Sequence, residues 1–135
     1  MKNIKKTPLN QSFCVDQDTS FNYFQSILNF KKLSKIEEKT LFFKWKINGC
    51  LFSRNKLIKS NLINVYFLVK KFHKSSKTSF IDLIQDCNES LIEALNNFNP
   101  SKGRLANFAS FYIKNKILRR TMQDASIISI PESEG

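Results

Sequence analysis

Residues 80–120, FIDLIQDCNESLIEALNNFNPSKGRLANFASFYIKNKILRR, constrain the fold more than any other stretch of this chain. Two helical patterns of opposite charge meet there at a short loop, Asn99-Pro100-Ser101-Lys102-Gly103. The first, about 80–98, puts Ile84, Leu91, Leu95 and Phe98 on one face. Asp82, Gln85, Asp86, Glu89 and Glu93 occupy a narrow arc on the other, with no basic residue among them. The second, about 105–123, has Ala106, Ala109, Ile113 and Ile117 on one side. Phe108, Phe111, Tyr112, Asn115 and Arg119 share the opposite side. A helix apolar on two faces is normally buried all round. Lys114, Lys116, Arg119 and Arg120 cannot all be buried without partners. One aromatic face is therefore expected in solvent, where exposed aromatics mark a binding site.

The rest of the chain reads as further helices. Its 135 residues include 13 Phe but only 3 Gly and 3 Pro, too few breakers for the many turns of a β-sandwich. A chain of this length can bury a real core, and one domain is expected. Residues 1–17 are polar, contain Pro8 and are expected to form a flexible arm. A short helix is expected over 20–30, with Asp18, Thr19 or Ser20 at its cap. Ser34-Lys35-Ile36-Glu37 is a capping box that opens a helix ending at Asn48-Gly49. In it, Ile36, Phe43 and Ile47 fall near one face, with Leu41 and Trp45 to the side. Residues 51–72 are expected to form the longest helix, striped by Ile58, Leu62, Val65, Val69 and Phe72. His73 ends it, at the helix C-terminus or simply in solvent. Ser79 caps the acidic helix. The helical domain thus spans 18–123, followed by a short tail over 124–135.

Several function classes lack their residues. No apolar run reaches the roughly 18 residues of a membrane span, and the basic N-terminus has no apolar stretch behind it. Cys14, Cys50 and Cys87 form no CxxC pair, and with His73 as the only histidine no zinc site is expected. They read as reduced cytosolic thiols, each small and buried or half-buried. No nucleophile–base pair, glycine-rich phosphate loop or metalloprotease motif appears. No enzyme, cofactor or metal is expected.

Charge is segregated along the chain. Residues 31–78 hold thirteen basic and two acidic groups; 79–101 hold four acidic groups and no basic one; 102–120 hold six basic groups and no acidic one. Alternating blocks suggest two faces, one for phosphate and one for a basic protein surface. Aromatics beside cations suit unstacked bases next to phosphates.

The motifs LSKIEEKTLFFKWKING, RNKLIKSNLINVYFLVKKF, DLIQDCNESLIEALNNFNPSKG, FASFYIKNKILRR and IISIP, in that order, resemble regions 1.2 through 2.4 of the bacterial sigma-70 family of transcription initiation factors. The resemblance runs from about Leu33 to Pro131. It implies an all-α, compact bundle of four to five helices, the second domain of a sigma factor, acting in the cytoplasm at the nucleoid. It implies binding of core RNA polymerase, at a coiled coil of the β′ subunit, through Asp82, Gln85, Asp86 and Asn88, with Ile92 beside them. It implies capture of the non-template strand of a −10 promoter element on the aromatic helix. There a flipped adenine stacks on Phe108, Phe111 and Tyr112 brace the upstream duplex, and Asn115 reads the element's upstream edge. Lys114, Arg119 and Arg104 add phosphate contacts, and Asn61 lies near the downstream flipped base.

The energetics are consistent with that role. Unstacking a base costs a few kcal/mol. Stacking on an aromatic returns ~1–3 kcal/mol per base, and lysines neutralise phosphates. The chain also departs from the family pattern. Cys87 and Ser90 replace usual glycines, Phe111-Tyr112 replaces a Trp pair, and Leu118 replaces a threonine. The family's later domains, which recognise the −35 element, are expected to be absent. One expected form is therefore half of a split sigma factor whose second protein supplies −35 recognition. The alternative is a sigma mimic that occupies the polymerase site as a regulator or inhibitor without melting DNA. A weaker third option is a plain helical DNA-binding module.

Overall fold

The computed structural model describes residues 11–73 and 77–129, with side chains described over 19–73 and 77–124. Among the described residues five α-helices follow one another: α1 Gln11–Leu28, α2 Lys35–Asn48, α3 Leu51–Phe72, α4 Phe80–Asn96 and α5 Leu105–Ser129. A 3-10 turn, Pro100–Lys102, joins the last two. The all-α bundle is as expected, and no strand occurs among the described residues. Among the described residues no helix is long and apolar enough to cross a membrane.

Helix ends follow local chemistry. Ser34 Oγ accepts the Glu37 N–H at 3.2 Å while Glu37 Oε1 accepts the Ser34 N–H at 2.9 Å, so the capping box is complete. That bond to the Ser34 amide is the chief reason the Glu37 carboxyl sits below its ordinary pKa. Gly49 ends α2 at φ 67°, where a Cβ would strain the backbone. Ser79 caps α4 by accepting the Asp82 N–H. Asn99 Oδ1 accepts the Ser101 N–H and fixes the turn before α5. His73 caps α3, and its Nε2 is 2.9 Å from the Thr78 carbonyl oxygen.

Helix α3 is the hub. It packs against α1, α2, α4 and α5. Val65, Val69, Leu83, Ile84, Leu91, Ile113 and Ile117 form the main core, closed on one side by Ile27 and Tyr66. A second cluster of Phe42, Leu57, Leu95, Phe98 and Leu105 ties α2 to the start of α5. Burying each large aliphatic or aromatic side chain stabilises the fold by about 1.5–3 kcal/mol. Ile84, Leu91 and Leu95 of α4, and Phe98 just beyond its end, are all buried as expected. Cys87 and Ser90 are buried too. They stand on the packing face, where small side chains let α4 approach its neighbours, and not on the acidic arc.

Four expectations change. Helix α1 already covers Gln11 to Leu28, with no Gly or Pro to interrupt it, so residues 11–17 are helical rather than an arm. The expected arm's first ten residues lie outside the described residues. The longest helix is α5, with 25 residues against 22 for α3. Residues 124–129 are accordingly helix and not tail. The α2 face drawn through Ile36, Phe43 and Ile47 points to solvent. The buried side is Glu38 and Phe42, with Leu41 and Trp45 half-buried. Helix α2 carries apolar residues on two sides, and Phe42 meets Phe98 edge-on at 5.5 Å, which decides which side turns in. Of the three cysteines, Cys87 is buried and Cys50 half-buried, while the Cys14 side chain lies outside those described.

Candidate nucleic-acid interface and the acidic face of α4

Helix α5 is positioned by a residue that the sequence reading passed over. Glu38, on α2, is only 3% exposed. Its Oε2 accepts the Leu105 N–H at 2.9 Å, capping α5 from another helix. Its Oε1 accepts from Arg104 Nε at 3.4 Å and Nη2 at 3.5 Å. Arg104 Nη2 also donates to the Leu33 carbonyl at 2.8 Å. Arg104, expected among the DNA contacts, is thus a strut joining α2 to α5. The signal was available: Glu37 and Glu38 are the only acids among thirteen basic groups in residues 31–78. Glu37 belongs to the capping box, which leaves Glu38 without a local role.

Beyond that anchor the aromatic residues form a ridge. Phe98, Phe108 and Tyr112 pack in sequence as tilted pairs, with ring centroids 5.8 Å and 5.2 Å apart. The Tyr112 hydroxyl accepts from Asn97 Nδ2 at 3.2 Å, which holds the ring. Phe111 stands clear of the ridge, 70% exposed. Phe108, Phe111, Lys102, Arg104 and Asn107 help line a cleft of about 330 Å³. Lys114, Asn115 and Arg119 are exposed along the same helix, and Leu118 is exposed on this side as well. The buried side is Ala109, Ile113 and Ile117. Of the aromatics expected in solvent, Phe111 is exposed, whereas Phe108 and Tyr112 are half-buried against the core.

A second cleft, of about 350 Å³, shares Arg104 and Asn107 with the first and is lined by Lys32, Asn61 and Asn64. Asn61 is only 5% exposed. Its Nδ2 donates to the Leu57 carbonyl and to Ser60 Oγ, and its Oδ1 accepts from Asn64 Nδ2. The amide at the floor of this cleft is already engaged, and Asn64 is the more accessible of the two.

Helix α4, packed beside α5, presents Asp82, Gln85, Glu89 and Glu93 to solvent. Ile92 is half-buried at the margin of this arc. Asn88 is not part of the arc. Its Nδ2 donates to the Tyr23 hydroxyl on α1 at 3.2 Å, and its Oδ1 is buried with no hydrogen-bond partner among the described residues. Burial raises the Tyr23 phenol above its ordinary pKa, with the Asn88 bond opposing the shift.

The two faces are also linked. Asp86 Oδ2 accepts from Arg120 Nη1 at 2.7 Å, so an acid of the α4 arc holds a cation of α5. Arg120 Nε donates to Thr78 Oγ1 at 3.0 Å, and Asp124 Oδ2 accepts the Lys77 N–H at 2.8 Å. The α4–α5 pair and the loop before α4 are thereby locked together. Among the described residues no cluster of His, Cys, Asp and Glu could hold a metal ion.

Comparison with known proteins agrees with this arrangement. Residues 57–126, just over half of the chain, match the family described as Sigma-70 region 2. The chain is 38% identical over 80 residues to the RNA polymerase sigma factor RpoD of Helicobacter pylori, covering 58% of this chain and 12% of that protein. It is 32% identical over 119 residues to the RNA polymerase sigma factor SigA of Mycoplasma genitalium, covering 84% of this chain and 24% of that protein. The chain thus spans a quarter or less of the relatives it matches. The matched segment contains both the acidic arc and the aromatic ridge, and the chain belongs to the sigma-70 region 2 family as a divergent member.

Proposed function

We propose that this protein is a sigma-type transcription initiation factor. It binds core RNA polymerase through the α4 arc and holds the unpaired non-template strand of a −10-type promoter element on α5. The observation that carries this reading is the exposed Phe111 beside the Phe108–Tyr112 ridge, flanked by Lys114 and Arg119, inside the family-matched segment. A base entering the 330 Å³ cleft meets the Phe108 and Phe111 rings, while lysines and arginines lie within reach of its phosphates. Each stacked base contributes ~1–3 kcal/mol, enough to offset unstacking from an AT-rich step. Asp82, Gln85 and Glu89 form the polymerase contact, with Ile92 at its edge. Asp86 joins them when its bond to Arg120 opens.

Fluorescence anisotropy with a labelled single-stranded TATAAT-like oligonucleotide, in the presence of core polymerase, tests the reading. Preference for the single strand over the duplex, lost in Phe111→Ala, is the expected result. Equal affinity for both overturns it. A second reading has one observation in its favour. Leu118 is exposed where the family resemblance expects a hydroxyl, which suits a protein that occupies polymerase without melting DNA. Under that reading Phe111→Ala leaves polymerase capture and all transcription readouts unchanged. If the first reading holds, the split form also requires a second protein supplying −35 recognition.

A further inference from the structure

The outward face of α2 has no role in the function proposed above, and all of it lies before the family-matched segment. Ile36 and Ile47 are 77% and 76% exposed, and Phe43 lies between them on the same stripe. Positions i, i+7 and i+11 are the spacing of a helix face made for another helix. The stripe leads into a groove of about 420 Å³ between α2 and α3, floored by Phe30, Leu33, Ile36, Leu41 and Phe52. Phe52, at the groove's α3 wall, is 68% exposed. The rim is basic: Lys31, Lys56 and Lys59, with Glu37 as the one acid, itself paired to Lys31 at 3.3 Å.

We propose that this groove and stripe dock an amphipathic helical segment of a partner protein, with apolar residues at helical spacing and acidic flanks. Charge complementarity selects the occupant. A second copy of this chain would place lysines against lysines across a two-fold interface. Residues 1–10 carry three lysines and no acid, so the chain's own N-terminus is repelled as well. A single nucleic-acid strand is disfavoured by the lining. Lys59 Nζ lies over the Phe30 ring at 5.4 Å and Lys56 Nζ over the Phe52 ring at 5.2 Å, covering ring faces that a base would need. The remaining floor is aliphatic, which suits leucine or phenylalanine side chains of a helix.

The test uses the full chain and a fluorescein-labelled helical peptide with leucines at i, i+3, i+4 and i+7 and glutamates between them. Its partner probe carries lysine in place of every glutamate. The glutamate peptide is expected to bind and the lysine peptide not. Ile36→Asp and Phe52→Asp should each weaken binding by about tenfold or more, as for central anchors of an interface, with unchanged circular dichroism. Phe111→Ala, on the other face, should leave binding unchanged, so the outcome is separable from that of the promoter-strand reading. Equal binding of the two peptides, or no loss in Ile36→Asp and Phe52→Asp, overturns the proposal. So does sedimentation of the wild-type chain as a dimer that Phe52→Asp dissociates, since the second copy then owns the face. Displacement of the peptide by a single-stranded oligonucleotide whose own binding needs Phe52 assigns the groove to nucleic acid and also overturns it.

Discussion

Removing the Glu38 carboxylate should loosen α5 at its root. The group accepts the Leu105 N–H at 2.9 Å and two longer bonds from Arg104, and it is almost fully buried. In Glu38→Ala the first-turn amide of α5 is left in a buried site without an acceptor, which costs about 1–3 kcal/mol. The lost ion pair adds little. Arg104 keeps its bond to the Leu33 carbonyl, and its side chain is 39% exposed, so solvent screens the charge. A total of about 1–3 kcal/mol corresponds to a fall in Tm of roughly 3–10 °C for a domain of this size. Glu38→Gln keeps an oxygen for the amide and should lose only about 1 kcal/mol. Thermal and urea unfolding followed at 222 nm measure both. If Glu38→Ala loses under about 1 kcal/mol, the cap is not what anchors α5. If Gln is as damaging as Ala, the charge and not the cap carries the effect. The same variant, held well below its Tm, should also bind single-stranded DNA more weakly, because Phe108 lies one turn beyond Leu105.

The Asp86–Arg120 bond predicts that Asp86→Asn frees a cation on α5. Affinity for single-stranded DNA should rise and its salt dependence steepen by about one phosphate contact, while capture by core polymerase weakens; an unchanged salt slope means Arg120 does not reach phosphate. The cysteines should differ in reactivity, because the thiolate is the nucleophile. Burial pushes the Cys87 thiol up to about 12, so it stays protonated and unreactive at neutral and mildly alkaline pH. The Ser53 hydroxyl bonded to Cys50 Sγ at 3.2 Å lowers the Cys50 pKa. In a Cys14→Ser background, iodoacetamide should label Cys50 in the folded protein and Cys87 only as fast as the protein unfolds, as read by mass spectrometry. Rapid labelling of Cys87 would show that α4 does not pack as described.

The elements whose ends are written in local chemistry were legible in the chain. Ser34 with Glu37, Gly49 and Ser79 each satisfy orphan backbone groups within a few residues, and no distant contact is needed to place them. The acidic helix was legible because its apolar and charged residues separate cleanly around one axis. The aromatic helix was legible because four cations forbid burying both sides. Helix α2 was not, since Ile36, Phe43 and Ile47 compete with Phe42, Leu41 and Trp45 for the same core, and periodicity ranks neither set. Tertiary contact decided it, through Phe42 against Phe98 and Glu38 against the start of α5. The same holds for polar side chains. Sequence placed Arg104, Asn61 and Asn88 near the candidate sites, but their hydrogen bonds to Glu38, to Leu57 with Ser60 and Asn64, and to Tyr23 engage their polar groups within the bundle. Charge segregation marked two faces. Only the packing of α4 on α5 joined them, by setting Asp86 within 2.7 Å of Arg120. Local hydrogen bonds and helical period depend on near neighbours in the chain. The choice of buried face and the partner of each charge depend on which helices meet, and this sequence settles those only once it is folded.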